Sequence, residues 1–351
     1  MTKVRFDQIA KEVRNTFSGD KAGVPIVGLE HIIPNELLLS DHDIDTENTF
    51  TKAFKKGQIL FGRRRAYQQK AAVATFDGIC SGDITVIEPI DGAVCPELLP
   101  FIIQNERFFE HAVRGSAGSL SPRVKWEHLS SYEIELPSYE EQVKLANTLW
   151  AAYNLKTSYK TLLTSIDEMV KSQFIEMFKG CKMTQLKKVA CFSKASINPI
   201  KGVKYTLFSF PAFDNNCIPE FVDGGEIKSS KIKLEDNVIL YNKLNVRLSR
   251  VWDINELSSN NNVCSSEFLP VKVTDKDLIT KSFLYRILCS EDVTKKMVAC
   301  STGTSNSQKR ITPASLLSLD IPIPSMEEQM KFVAIAEQAD KSKQIAFSRA
   351  S

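Results

Sequence analysis

Between Ser138 and Lys179 the chain has neither proline nor glycine, and its apolar positions Leu155, Tyr159, Leu162, Ile166 and Met169 step by 4, 3, 4 and 3 before drifting to Val170, Phe174 and Met177. That is the spacing of a coiled-coil seam. It predicts one helix of 42 residues, about 63 Å long at 1.5 Å per residue, stopped by Gly180. A helix of that length exceeds what a domain needs for its own core, so it reads as a spacer. Short apolar runs at 58–61, 71–75 and 84–87, bounded by Gly and charged turns, predict β-strands. Residues 97–113 and 281–298 predict helices, and the fold class is α+β.

The pattern occurs twice. Leu136-Pro137-Ser138-Tyr139-Glu140-Glu141-Gln142-Val143-Lys144 aligns with Ile323-Pro324-Ser325-Met326-Glu327-Glu328-Gln329-Met330-Lys331, six of nine positions identical. At the same offset of 187, Arg123 faces Arg310, Leu129 faces Leu316 and Ile134 faces Ile321. Residues 115–119 face 302–306 at that offset too, and towards the amino terminus it shrinks to 180, where 57–61 face 237–241 and 6–10 face 186–190. A period near 185 residues is far above the range of solenoid repeats, so the halves are two whole domains of like fold. Each closes on Pro-Ser-x-Glu-Glu, a capping box in which the serine oxygen accepts an amide at the third helical position and the glutamate reaches back to the cap. The expected organisation is a domain over 1–137, a spacer helix over 138–180, a second domain over 181–324 and a second helix over 325–351. That second helix has 27 residues, 15 fewer than the first.

The 351 residues suit two compact units, and 43% hydrophobic with 25% charged residues is the composition of an ordinary globular protein. The formal charge of +3 is too small to announce a nucleic-acid partner by itself, but its distribution is uneven. Residues 1–137 carry 16 basic and 19 acidic groups (net −3), whereas 181–324 carry 20 and 14 (net +6). Lys3, Arg5, Asp7, Lys11 and Glu12 interrupt any signal-peptide core, and no apolar run approaches a membrane span, so a cytoplasmic protein with no membrane partner is expected. Eight cysteines without a CxxC pair read as reduced, mostly core residues.

Two segments stand out chemically. Residues 62–70 pack Arg63, Arg64, Arg65, Tyr67, Gln68 and Lys70 into one turn, and the equivalent stretch 241–250 carries Lys243, Arg247 and Arg250. Arg and Gln read guanine and adenine edges bidentately, and Tyr can stack or bind phosphate. A solvated charged turn is the plain alternative for one such run, but two at equivalent positions point to DNA. Two loops of small donors ahead of a cation suit phosphate or base-edge approach as well. One places Ser116 and Ser119 before Arg123, and the other places Ser305 and Asn306 before Gln308, Lys309 and Arg310.

No catalytic constellation appears. There is no phosphate-binding GxxxxGK[ST] loop, the four histidines have no metal-ligand spacing, and Asn198-Pro199-Ile200 lacks the second proline and the aromatic residue of an amino-methyltransferase motif. Asp214 with Glu226 and Lys228 has the loose acidic spacing of a metal-dependent nuclease and forms the alternative reading, a single-chain DNA nuclease. A structural adaptor binding only protein is a third.

The chain resembles the specificity subunit of type I restriction-modification systems. The resemblance rests on Gly62-Arg63-Arg64-Arg65-Ala66-Tyr67-Gln68-Gln69-Lys70, on Asp77-Gly78-Ile79-Cys80-Ser81-Gly82-Asp83-Ile84 and on the doubled Pro-Ser-x-Glu-Glu-Gln. It implies two target recognition domains, each reading half of a bipartite sequence in double-stranded DNA, separated by long antiparallel helices. On this resemblance the helices dock two modification (methyltransferase) subunits through Leu155, Tyr159, Leu162, Ile166 and Met169, and restriction subunits join them. It also implies that the chain itself is not an enzyme and holds no metal or cofactor, because S-adenosylmethionine, ATP and Mg²⁺ belong to the partners. Members usually carry two helices of nearly matching length, from which 42 against 27 departs.

Overall fold

The computed structural model describes residues 2–118, 120–193, 195–257, 260–303 and 308–350, the last four without their side chains. The chain divides into two compact units, Met1–Thr157 and Ser158–Ser351.

In the first unit a five-stranded sheet runs in the order Ala10–Val13, Ile84–Pro89, Ile59–Gly62, Ala71–Ala74, Leu38–Leu39. Only its last pairing is parallel. The central strand shows why these residues form a sheet: Ile59 and Phe61 enter one core with Phe108 and Phe109, while Leu60 enters another with Val86 and Phe54. Both faces are covered, so the strand is apolar throughout and still alternates with period two. A second sheet has three strands, Ile26–Val27, Gly78–Cys80 and Lys52–Phe54. The ribbon of Thr2–Arg5 with Glu133–Leu136 brings the ends of the domain together.

The second unit repeats this plan. Its four-stranded sheet runs Ala190–Phe192, Phe268–Val273, Val238–Asn242, Val251–Ile254, all antiparallel. Ile239 and Tyr241 enter one core and Val238 and Leu240 the other. The closing ribbon recurs as Met183–Gln185 with Asp320–Pro322. The second sheet is larger here, five strands against three.

Both predicted mid-domain helices are broken in two. Residues 97–113 form Leu99–Ile103 and Glu106–Arg114 because Asn105 is extended and its side chain accepts the Arg107 amide, capping a new helix. Residues 281–298 form Lys281–Leu288 and Glu291–Cys300, divided where the Ser290 side chain accepts the Val293 amide. The cysteines are also less buried than expected: all are free, Cys80, Cys95 and Cys264 are buried, and Cys191, Cys217, Cys289 and Cys300 are exposed.

The long helix is Tyr139–Phe178, 40 residues, and the second is Met326–Ala350, 25 residues. Both capping boxes form. Ser138 Oγ accepts the Glu141 amide while Glu141 accepts the Ser138 amide at 3.0 Å, and Ser325 with Glu328 does the same at 2.9 Å. Within the first unit the helix is fixed by Ala146, fully buried, and by Trp150, whose Nε1 donates to the Glu97 carbonyl at 2.9 Å. Within the second unit Phe174 and Phe178 pack on Phe283 and Phe332. Asp167 pairs with Lys343 and Phe174 meets Phe332, so this part of the long helix and Met326–Ala350 run antiparallel. Leu155, Leu162 and Met169, seven residues apart, are exposed, and Tyr159 and Ile166 are half-buried. No helix among the described residues is long and apolar enough to cross a membrane.

Candidate nucleic-acid interface

The turn after the strand Ile59–Gly62 is held in a frame of main-chain hydrogen bonds. Gly62 donates to the Lys70 carbonyl (2.8 Å), Arg63 to Asp83 (2.9 Å), Arg65 to Pro122 (2.8 Å), and Val124 to Arg63 (2.9 Å). The turn after Val238–Asn242 has the same four bonds: Asn242 to Arg250 (3.1 Å), Lys243 to Glu267 (2.9 Å), Asn245 to Lys309 (2.8 Å), and Ile311 to Lys243 (3.0 Å). Arg65 and Asn245 take the left-handed conformation at the same place, with φ of 54° and 52°. Arg123 bridges to Arg64 and Ala117, and Arg310 bridges to Leu244 and Thr302. In each unit the basic turn is thus joined to residues far away in sequence, Ala117 and Arg123 in the first and Thr302 and Arg310 in the second.

A carboxylate orders the cations of each frame. Arg123 Nε donates to Asp83 Oδ1 at 2.6 Å, Arg64 Nη1 to Oδ2 at 3.3 Å, and Arg64 Nη2 to Ser121 Oγ at 3.0 Å. Burial pushes the Asp83 pKa up, but the two arginines outweigh it and hold the carboxyl below its ordinary range. Arg310 reaches Glu267 with Nε and Nη2 at 3.3 and 3.4 Å. The Arg123 and Arg310 side chains are 47% and 51% exposed, so each guanidinium is both oriented and accessible.

The remaining candidates fall in different places. Tyr67 and Arg247 are exposed at the tips of the turns, and Gln308 is also exposed. Arg63, Arg65, Gln68, Lys243 and Lys309 are half-buried. The Nε atoms of Arg63, Arg64 and Arg65 are buried without a partner among the described residues. Arg63 lines an open cleft of about 510 Å³ with Arg14, Lys52, Lys125 and Trp126. Two cations have internal work: Lys70 Nζ donates to the Leu29 carbonyl at 2.6 Å, and Arg250, 14% exposed, grips both Asp214 oxygens at 2.8 Å over the Phe210 ring. The Ser116 hydroxyl donates to the Ala112 carbonyl. Ser119, Ser305 and Asn306 lie outside the described residues.

That Arg250 pair also bears on the nuclease alternative. Its hydrogen bonds depress the Asp214 pKa and occupy both carboxylate oxygens, and no group of three His, Cys, Asp or Glu gathers among the described residues. The nuclease reading has no support.

Sequence reasoning meets Asp83 only inside the motif that carries the resemblance, without giving it a role, and passes over Glu267, because a carboxylate in a basic surface carries no spacing signal. It also passes over Gln142 and Gln329 in the doubled motif. Gln142, 4% exposed, accepts the Cys95 amide and donates to the Pro137 carbonyl; Gln329, fully buried, accepts the Thr280 amide and donates to Leu278 and Pro324.

Residues 10–168 match the family model of the type I restriction modification DNA specificity domain. The chain is 25% identical over 189 residues to the EcoDI type I restriction enzyme specificity subunit of Escherichia coli, covering 50% of this chain and 41% of that relative's length. Its fold is similar to the crystal structure of the type I restriction-modification S subunit from M. genitalium, with a TM-score of 0.59 and 12% identity over 99% of this chain and 91% of that one.

Proposed function

We propose that this chain, whose residues 10–168 match the family model of the type I restriction modification DNA specificity domain, is the DNA-reading specificity subunit of a type I restriction-modification complex. Each unit reads one half of a bipartite duplex target. The observation that carries this reading is the duplication of one arginine–carboxylate frame, Arg123 on Asp83 and Arg310 on Glu267, the first lying within the matched domain.

Arginines held by a carboxylate lose little rotamer freedom on meeting a phosphate, and phosphate contacts set register without reading sequence. Side chains on the tips are then left to reach base edges. In this reading the helical linker fixes the gap between half-sites, as dimer geometry fixes operator spacing.

The chemistry belongs to partners. Two methyltransferase subunits, docked on the helices at the Leu155, Leu162 and Met169 stripe, bring S-adenosylmethionine and methylate adenine. Restriction subunits bring ATP and Mg²⁺. Long-read methylome sequencing tests this in an unmodified host expressing the cognate methyltransferase subunit with and without this chain. A bipartite methyladenine motif appearing only with the chain is the expected result; no new motif, although the two proteins co-purify, overturns it.

A further inference from the structure

The two frames coincide in backbone and differ in what they present. Four matching hydrogen bonds place residues 62–65 on 242–245. The next residues, Ala66 and Val246, are each 1% exposed and plug their own cores. One position further, Tyr67 and Arg247 stand at the same station, both exposed. One is a phenol with a stacking face and a hydroxyl, the other a guanidinium with five donors.

We infer that Tyr67 and Arg247 are equivalent specificity-determining positions, each contacting a base of its own half-site, with Arg247 matched to guanine. This rests on the function proposed above. The DNA backbone is the same in both halves of any target, so contacts to it call for repeated chemistry, which the arginine–carboxylate pairs supply. Bases differ between unlike half-sites, and reading them calls for a repeated position with unrepeated chemistry. The station of Tyr67 and Arg247 meets both conditions. An arginine there fits the O6 and N7 acceptors of guanine in the major groove, whereas a tyrosine offers one hydrogen bond and an apolar ring that fits a thymine methyl.

The test is the methylome of the full complex carrying Arg247→Ala or Tyr67→Ala. Arg247→Ala is expected to relax a G·C pair in one half-site by on the order of tenfold and to leave the other half-site as in the wild type. Tyr67→Ala should alter only the opposite half. Methylation that falls evenly with both half-sites unchanged would reduce these residues to phosphate contacts and overturn the inference, as would a change in both halves from one substitution. For a variant complex that binds DNA without methylating it, the duplexes it retains from a random-sequence pool give the same reading: an altered half supports the inference, and the wild-type sequence overturns it. A wild-type complex that yields no motif removes the functional reading itself, a failure distinct from either.

Discussion

His111 and His128 lie ring on ring, their centroids 4.2 Å apart and their planes 13° from parallel, and each Nε2 sits 2.8 Å from the other residue's carbonyl oxygen. The reciprocal bonds tie the helix Glu106–Arg114 to the helix Trp126–Leu129, one on each side of the donor loop that ends at Arg123. Gly115 makes the stack possible, because a Cβ there would fall 1.8 Å from the His128 ring.

This stack predicts an acid-sensitive first unit. Burial lowers the His111 pKa, opposed by its bond to the His128 carbonyl and reinforced by the nearby His128 and Arg114. A base with a depressed folded pKa contributes stability above its unfolded value, about 6.5, and that contribution is lost as pH falls through the folded value. The unit should melt at a lower temperature at pH 5 than at pH 7.5, and His111→Gln should narrow the gap. Equal melting at both pH values, or an unchanged gap in the variant, would contradict this.

Asp83→Asn should destabilise the first unit by about 1–3 kcal/mol, because two guanidinium groups lose a shared ionic acceptor. In a double-mutant cycle with Arg123→Ala, measured by denaturant unfolding, the two changes should couple rather than add. The carboxyl is held below its ordinary range, so its contribution is present above an unfolded pKa of about 3.9 and lost as pH falls through the folded value.

The buried glutamines anchor the starts of both long helices. Gln329→Ala strands one amide and two carbonyls, and Gln142→Ala strands one of each. Each loss of buried hydrogen bonding should cost about 1–3 kcal/mol, with the Gln329 variant the less stable. Denaturant midpoints of the two variants compare them directly.

Changing Arg63, Arg64 and Arg65 together to Ala should weaken binding to all duplexes. The slope of log affinity against log salt should become shallower by about one for each phosphate that is no longer neutralised. Unaltered affinity would favour the protein-only adaptor.

Much of the architecture is legible in the sequence because it rests on local rules. The capping boxes at Ser138 and Ser325, the apolar run of Ile59 to Phe61 and the doubled motif each declare themselves within a few residues. The breaks in the mid-domain helices are not legible, because Asn105 and Ser290 are ordinary polar residues until their backbone turns extended and they cap a new helix. The candidate surface is legible as a set of cations but not as an arrangement. In sequence Arg250 and Lys70 look equivalent to Arg123, and only the fold shows that they serve Asp214 and the Leu29 carbonyl. The Asp83 to Arg123 pairing spans 40 residues of chain, a distance over which no periodicity carries information.

Selection of bound duplexes from a random-sequence pool by this chain, assembled with its methyltransferase subunits, decides whether two separate half-sites are read. Two short fixed blocks separated by a gap of constant length and free sequence are predicted. A single contiguous block, or retention without sequence preference, would contradict the account.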